Sequence, residues 1–247
     1  MLIKITDKCN MGCSHCLSDC TPNLHDMKLK TFIDAMKFHD KYCLTRPILI
    51  SGGEPTESSI FLDVIEYLTD NKTVAPVTIT TNGLWLTQNE WLVQEVETYF
   101  PPCTFQIVVD DRYYPTHVDE SSPIFKHKNV MLCRDVMQIY PQGRALTNNL
   151  PFRAKASKCF NVRAITKQIP NVTLSALFNT LNVNAKFCTP HIDIDGNIKL
   201  GESRLCPVCS SIYKSEEEII EDIINFKCHQ CDFINDKLPD LYKRFVE

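Results

Sequence analysis

Residues 2–20 read LIKITDKCNMGCSHCLSDC. The apolar and β-branched run at its start predicts a strand over Leu2–Thr6. Cys9, Cys13, Cys16 and Cys20 follow within twelve positions, directly after that strand. Thiolates are soft ligands that suit zinc or iron–sulfur clusters. Structural zinc commonly takes its four ligands as two well-separated pairs. A run of cysteines in one loop instead wraps one compact body, which suits a cube of iron and sulfide.

The chain around this loop is that of a soluble globular protein. It has 247 residues, 44% of them hydrophobic and 23% charged. A chain of this length buries a core without covalent staples. Its 13 cysteines, an odd number, are therefore not needed as disulfides. Met1 to Lys4 runs straight into the strand pattern, with no basic segment and long apolar stretch of a signal peptide. No apolar run reaches the length of a membrane span. A cytoplasmic location is expected, where clustered cysteines bind metal more often than they pair. The net charge of -4 argues against a broad nucleic-acid-binding surface.

Short apolar runs alternate with helical patterns over the first half. Pro47–Ile50, Val77–Thr80 and Phe105–Val109 read as strands. Leu29, Phe32, Ile33 and Met36 have amphipathic helix spacing, as do Phe61, Val64, Ile65 and Leu68. Thr87–Glu90 reads as a capping box opening a third helix. Strand, loop and helix at this spacing predict parallel βαβ units closing into a barrel or part of one. The stretch from Asp111 to Lys128 reads as a long loop or a poor helix. Val130–Tyr140 reads as a further strand and Val172–Leu181 as a helix. Asp195-Gly196 predicts a two-residue hairpin within His191–Leu200. Ser215–Phe226 reads as a helix whose acidic first turn suits the helix dipole. The domain boundary is expected near residue 150: a core over 1–150, and a C-terminal part over 151–247 whose cysteine-bearing segment covers about 185–235.

The spacing Cys9-x3-Cys13-x2-Cys16, with His15 before the last cysteine, resembles the cluster loop of the radical S-adenosylmethionine (SAM) superfamily. The resemblance implies that these three thiolates hold three irons of a [4Fe-4S] cluster, leaving the fourth iron open to SAM. Ser51-Gly52-Gly53-Glu54-Pro55 is similar to the family's motif at the SAM amino group. There glycines permit close backbone approach, and a carboxylate can accept from an ammonium. Thr81-Asn82 and Asp110 lie where the third and fourth strands of the family approach the ligand. The implied fold is a partial (β/α)6 barrel with its chemistry at the C-terminal strand ends. Cys20 departs from the pattern, because a fourth thiolate would close the open iron. It is read as a bystander or a neighbour of the ligands. Arg144 is read either as a partner of the SAM carboxylate or substrate, or as a surface arginine after a turn.

Cys206-x2-Cys209 and Cys228-x2-Cys231 match a zinc spacing. With Cys188 before the hairpin, the set also resembles the twitch or SPASM-like extension of radical SAM enzymes. That resemblance implies an auxiliary [4Fe-4S] cluster on Cys188, Cys206, Cys228 and Cys231, in a small hairpin-plus-helix unit. It is similar to short dehydrogenases of the superfamily in aminoglycoside synthesis. Zinc remains the alternative. The isolated Cys43, Cys103, Cys133 and Cys159 read as small buried hydrophobes. His117 and His191 read as hydrogen-bonded bystanders.

The resemblance implies reductive cleavage of SAM to a 5′-deoxyadenosyl radical and removal of a hydrogen from a sugar- or cyclitol-like small molecule or a peptide. The auxiliary cluster would make this a net oxidation. The implied partner is a one-electron donor such as flavodoxin or ferredoxin, with no nucleic acid and no membrane. Two other readings stay open: an activating enzyme that makes a glycyl radical on a partner protein, and a non-catalytic iron–sulfur or zinc module.

Overall fold

A computed structural model describes residues 1–43, 46–71, 73–134, 139, 142–151, 172–184, 190–201 and 203–226. The strands are β1 (Leu2–Thr6), β2 (Ile48–Gly52), β3 (Val77–Thr81), β4 (Cys103–Val109), β5 (Val130–Arg134), β6 (His191–Ile192), β7 (Asn197–Lys199) and β8 (Val208–Ser211). They form one mixed sheet in the order β5-β4-β3-β2-β1-β6-β7-β8. From β5 to β6 every neighbouring pair is parallel, and β7 and β8 turn back antiparallel.

Register sorts the side chains into two faces. Ile3, Ile50, Ile79, Phe105 and Val130 align across β1 to β5. Ile192 and Ile198 continue the row. Most of these are wholly buried, and they share one core with helix residues such as Phe32, Met36, Val64, Leu68 and Val93. Those come from α1 (Leu29–Tyr42), α2 (Phe61–Asp70) and α4 (Glu90–Tyr99); α3 (Leu84–Gln88) is a short turn before α4. The other face carries Lys4, Ser51, Thr78, Thr80, Thr104, Gln106, Cys133, His191 and Lys199. A small helix, α5 (Gly143–Thr147), follows β5; α6 (Leu174–Asn184) packs on α1, with Phe178 edge-on to Phe38.

Several local expectations are corrected. No capping box forms at Thr87–Glu90. The Thr87 hydroxyl instead donates to the Leu84 carbonyl inside α3, and Asn89 caps α4 only through its backbone. The capping box lies at Ser215 and Glu218, opening α7 (Glu216–Asn225). The hairpin loop spans residues 193–196 rather than two residues. The Asp193 carboxylate accepts from the Asp195 and Asn197 amides and stabilises the wider turn. Strand β8 escapes the sequence reading. The stretch after Asp111 is loop with one 3-10 turn at Pro123–Lys126.

Candidate active site

Because β1 to β5 are parallel, the loops that follow them gather at one end of the sheet. The end of β2 lies directly on the loop that follows β1. Gly53 N donates to Thr6 O at 2.9 Å, and Glu54 N to Lys8 O at 2.7 Å. A Cβ on Gly52 would stand 2.1 Å from Thr6 O, and one on Gly53 2.0 Å from Lys8 O. Only glycine permits this approach. The Glu54 side chain then ties β2 to β3. Its Oε1 accepts from Thr81 Oγ1 at 2.6 Å and Thr56 Oγ1 at 2.8 Å; its Oε2 accepts from Asn82 N at 2.7 Å. Burial pushes this carboxyl above its ordinary range, although each of those bonds favours the charged form. Asn82 Nδ2 reaches Asn10 Oδ1 at 3.2 Å, so the third strand end also touches the cysteine loop. Pro55 is buried at the start of the 3-10 turn that follows.

Cys9, Cys13 and Cys20 are buried in one cluster with Met11, and Cys16, Leu84 and Tyr114 pack against it. All four thiols are free. Burial pushes Cys9 up and Cys13 up to about 12. Cys16 is held low by a hydrogen bond from Cys20, whose own thiol is correspondingly held protonated. Cys20 is thus a direct neighbour of a predicted ligand.

Arg144 holds this loop from the far side. Its Nε donates to Cys13 O, and its Nη1 to Cys20 O and to Asp19 Oδ1, all at 2.9 Å. Its backbone N donates to Cys16 O at 2.9 Å. Gly143, at φ +52°, sits so close that a Cβ would meet Cys16 O at 2.6 Å. Asp19, the residue gripped by the guanidinium, itself has φ +49°, an uncommon conformation for a non-glycine residue. Arg144 Nη2 is buried with no hydrogen-bond partner.

The loop after β4 supplies the remaining wall. The His15 ring lies 5.3 Å from Tyr113 and 5.2 Å from Tyr114, centroid to centroid. Burial lowers the His15 pKa to about 4, so the ring is neutral at physiological pH. Ser14 N donates to Tyr113 O at 3.0 Å. Asp110 is gripped by Arg112, with Nε at 2.8 Å and Nη2 at 2.7 Å from its two oxygens. A cavity of about 700 Å³ opens beside this turn, lined by Val109, Asp110, Asp111, Arg112, His117, Asp119, Glu120 and Arg134. Its charges are largely paired, as Arg112 with Asp110, Arg134 with Glu120 and His117 with Asp111.

No family model matches the chain. Part of it is similar to GTP 3′,8-cyclases. It is 29% identical over 97 residues to that of Haemophilus ducreyi, covering 38% of this chain and 28% of that protein. It is 35% identical over 85 residues to that of Photorhabdus laumondii, covering 33% and 25%. The chain therefore matches only about a quarter of the length of these curated relatives. The fold is similar to that of BtrN, solved in complex with AdoMet and 2-DOIA. The TM-score is 0.52 over 92% of this chain and 82% of that one, at 15% identity. At 15% identity, the likeness to BtrN is one of fold.

The residues singled out for that chemistry do come together. Cys9, Cys13, Cys16, His15, Gly52, Gly53, Glu54, Pro55, Thr81, Asn82, Asp110 and Arg144 all stand at the gathered strand ends. Among the described residues, no three His, Cys, Asp or Glu side chains converge on a point that one ion would fill. A cluster with irons at separate corners needs thiolates spread around it instead. The donor set fits such a cluster: three thiols in one buried patch, Met11 N directed at Cys9 Sγ at 3.5 Å, and the Arg144 cation beside Cys13 and Cys16. Cys188, Cys228, Cys231 and Cys159 lie outside the described residues. Cys206 and Cys209 are half-buried, and Cys206 N donates to Ser203 O at 3.0 Å. Cys43 and Cys103 are buried as expected, whereas Cys133 is half-exposed and accepts from Gln106 Nε2 at 3.2 Å. Sequence reasoning missed Tyr113 and Tyr114, which sit in an aperiodic loop; only their adjacency to Asp110 marked them. His191 is wholly buried in β6.

Proposed function

We propose that the chain is a radical SAM enzyme in which Cys9, Cys13 and Cys16 hold a [4Fe-4S] cluster with one iron open to SAM. Its substrate is a sugar- or cyclitol-like small molecule or a peptide, and the six parallel strands belong to a partial (β/α)6 barrel. The interlock of Gly52, Gly53 and Glu54 with the cysteine loop, at the end of the sheet where Arg144 and His15 also converge, carries this reading. Cys9, Cys13 and Cys16 would hold the cluster, which with SAM and a one-electron donor such as flavodoxin or ferredoxin would supply radical chemistry for removing hydrogen from the substrate.

The chain's own residues position and shield. Gly52 and Gly53 bring bare backbone against the loop. Glu54 keeps the β2 and β3 ends in one register through its four hydrogen bonds. Arg144 fixes the path from Cys13 to Cys20. The His15, Tyr113 and Tyr114 rings exclude water from the thiol side. Cluster loading requires thiolates, so burial of Cys9 and Cys13 makes it proton-releasing. Cys188, Cys206, Cys228 and Cys231 would hold an auxiliary cluster, which would supply redox capacity for a net oxidation.

Anaerobic reconstitution tests the reading. Wild type and Cys20→Ala are expected to bind SAM and release 5′-deoxyadenosine on reduction, and Cys13→Ala to release none. Loss of the cluster in Cys20→Ala would overturn the three-thiolate assignment. Stoichiometric zinc with no iron at this loop would overturn the enzyme reading itself.

A further inference from the structure

Three of the four loop cysteines present their main-chain carbonyls to one residue. Arg144 takes Cys16 O with its backbone N, Cys13 O with Nε and Cys20 O with Nη1, each at 2.9 Å. Other groups hold the same stretch. Asn148 Nδ2 donates to Ser14 O at 2.9 Å, and Ser203 Oγ to Leu17 O at 2.8 Å. Gly143 carries no Cβ, and so lets the start of α5 come this close to Cys16 O and Leu17 O.

The guanidinium has more donors than these bonds use. It carries five N–H groups in one rigid plane. Nε makes one hydrogen bond and Nη1 two, the second to Asp19 Oδ1. Nη2 is buried, and among the described residues no carbonyl, carboxylate or thiol accepts from it. Asp19, the carboxylate paired with the guanidinium, is half-exposed and meets Nη1 rather than Nη2. The Arg144 side chain is itself only 22% exposed, so water screens its charge weakly. That charge acts on both the Cys13 and the Cys16 sulfurs. A buried guanidinium N–H without an acceptor is costly. A negatively charged acceptor beside those two sulfurs meets the need. The sulfides and thiolates of an iron–sulfur cluster are acceptors of that kind.

We propose that Arg144 Nη2 donates to a sulfur of the cluster and makes the cluster easier to reduce. This rests on the radical SAM reading and deepens it, because the clamp of the cysteine loop then also sets the redox potential. Reduction takes one electron from the external donor, makes or breaks no bond, and leaves the cluster one charge more negative. A fixed cation and an N–H donor favour that more negative form, so they raise the potential.

The test is an EPR-monitored redox titration of anaerobically reconstituted protein without SAM. Arg144→Gln removes the charge and the fork. It should make the one-electron reduction roughly tenfold less favourable, a fall of about 59 mV. Arg144→Lys should lie between that variant and wild type. The potential is read per cluster, so a lower iron content does not move it. A merely structural loss would admit water, which stabilises the more negative form, and the potential would rise instead. A second measurement needs no variant. Wild type labelled with heavy nitrogen in its arginine guanidinium groups, reduced and studied by pulsed EPR, should show a nitrogen coupling to the cluster spin. The proposal is overturned if the potential of Arg144→Gln is unchanged or rises, or if labelled wild type shows no coupling. Weaker SAM binding at an unchanged potential would overturn it by assigning Nη2 to SAM instead. Wild type that takes up no [4Fe-4S] cluster would sink the radical SAM reading and this proposal with it. An unmoved potential on an intact, SAM-binding cluster would sink this proposal alone.

Discussion

The two faces of the sheet do opposite work. Adjacent residues show it best: Phe105 is wholly buried in the core shared with the helices, while Thr104, one position earlier in β4, lies half-buried on the other face. Strands of parallel sheets are usually apolar on both sides, because helices cover both. Here the alternation is strict in the middle of β3 and β4, and the second face is built of Thr78, Thr80, Thr104 and Gln106. Stability is concentrated on one face, which leaves the other free to carry hydrogen-bonding groups. The gathered strand ends join the two, since Glu54 and Gly53 hold the cysteine loop over the border between them.

The largest expected effect follows directly. Phe105→Ala should cost about 3–5 kcal/mol in urea unfolding, the usual loss for a buried aromatic. Thr104→Ala should stay within about 1 kcal/mol, since its hydroxyl bonds none of the described residues. Similar losses at the two positions would break the division between faces.

A smaller effect is expected at the border. Arg144→Gln removes the guanidinium fork from Cys13 O, Cys20 O and Asp19. It should lower stability by on the order of 2–3 kcal/mol, as charge-assisted bonds are lost. It should also lower the iron retained per chain after reconstitution. Arg144→Lys keeps the charge but not the planar fork, so it should recover only part of either quantity. Full recovery with lysine would mean that charge alone matters and that the loop needs no geometric clamp.

The apolar face was the legible part of the sequence. Leu2–Thr6, Val77–Thr80 and Phe105–Val109 were readable as strands because burial on the helix side imposes a period, and the three-cysteine spacing located the site. What escaped reading depends on contacts far apart in the chain. Nothing local marks Arg144 as the clamp of a loop that ends at Cys20, or His191 as the register partner of Lys199. Tyr113 and Tyr114 belong to a stretch with no period at all. The misread capping box at Thr87 shows the same limit at short range. A four-residue pattern could not reveal that Thr87 was already inside a preceding turn.

The smallest effect concerns the outer edge of the apolar face. His127, in the turn before β5, bridges two carboxylates of α4: Nε2 to Glu90 at 2.8 Å and Nδ1 to Glu97 at 3.0 Å. The hydrogen bond to Glu90, joined by that to Glu97, raises the His127 pKa. A base whose pKa is raised by folding adds stability that is complete below its ordinary value of about 6.5 and is lost as pH rises through the folded value. The urea midpoint should therefore fall between about pH 5 and about pH 8 by slightly more in wild type than in His127→Gln. The site is polar, yet it fastens the helix layer, so its removal should leave SAM binding unchanged. An effect on SAM binding would mean that the helix layer and the strand-end loops are coupled more tightly than the two-face division allows.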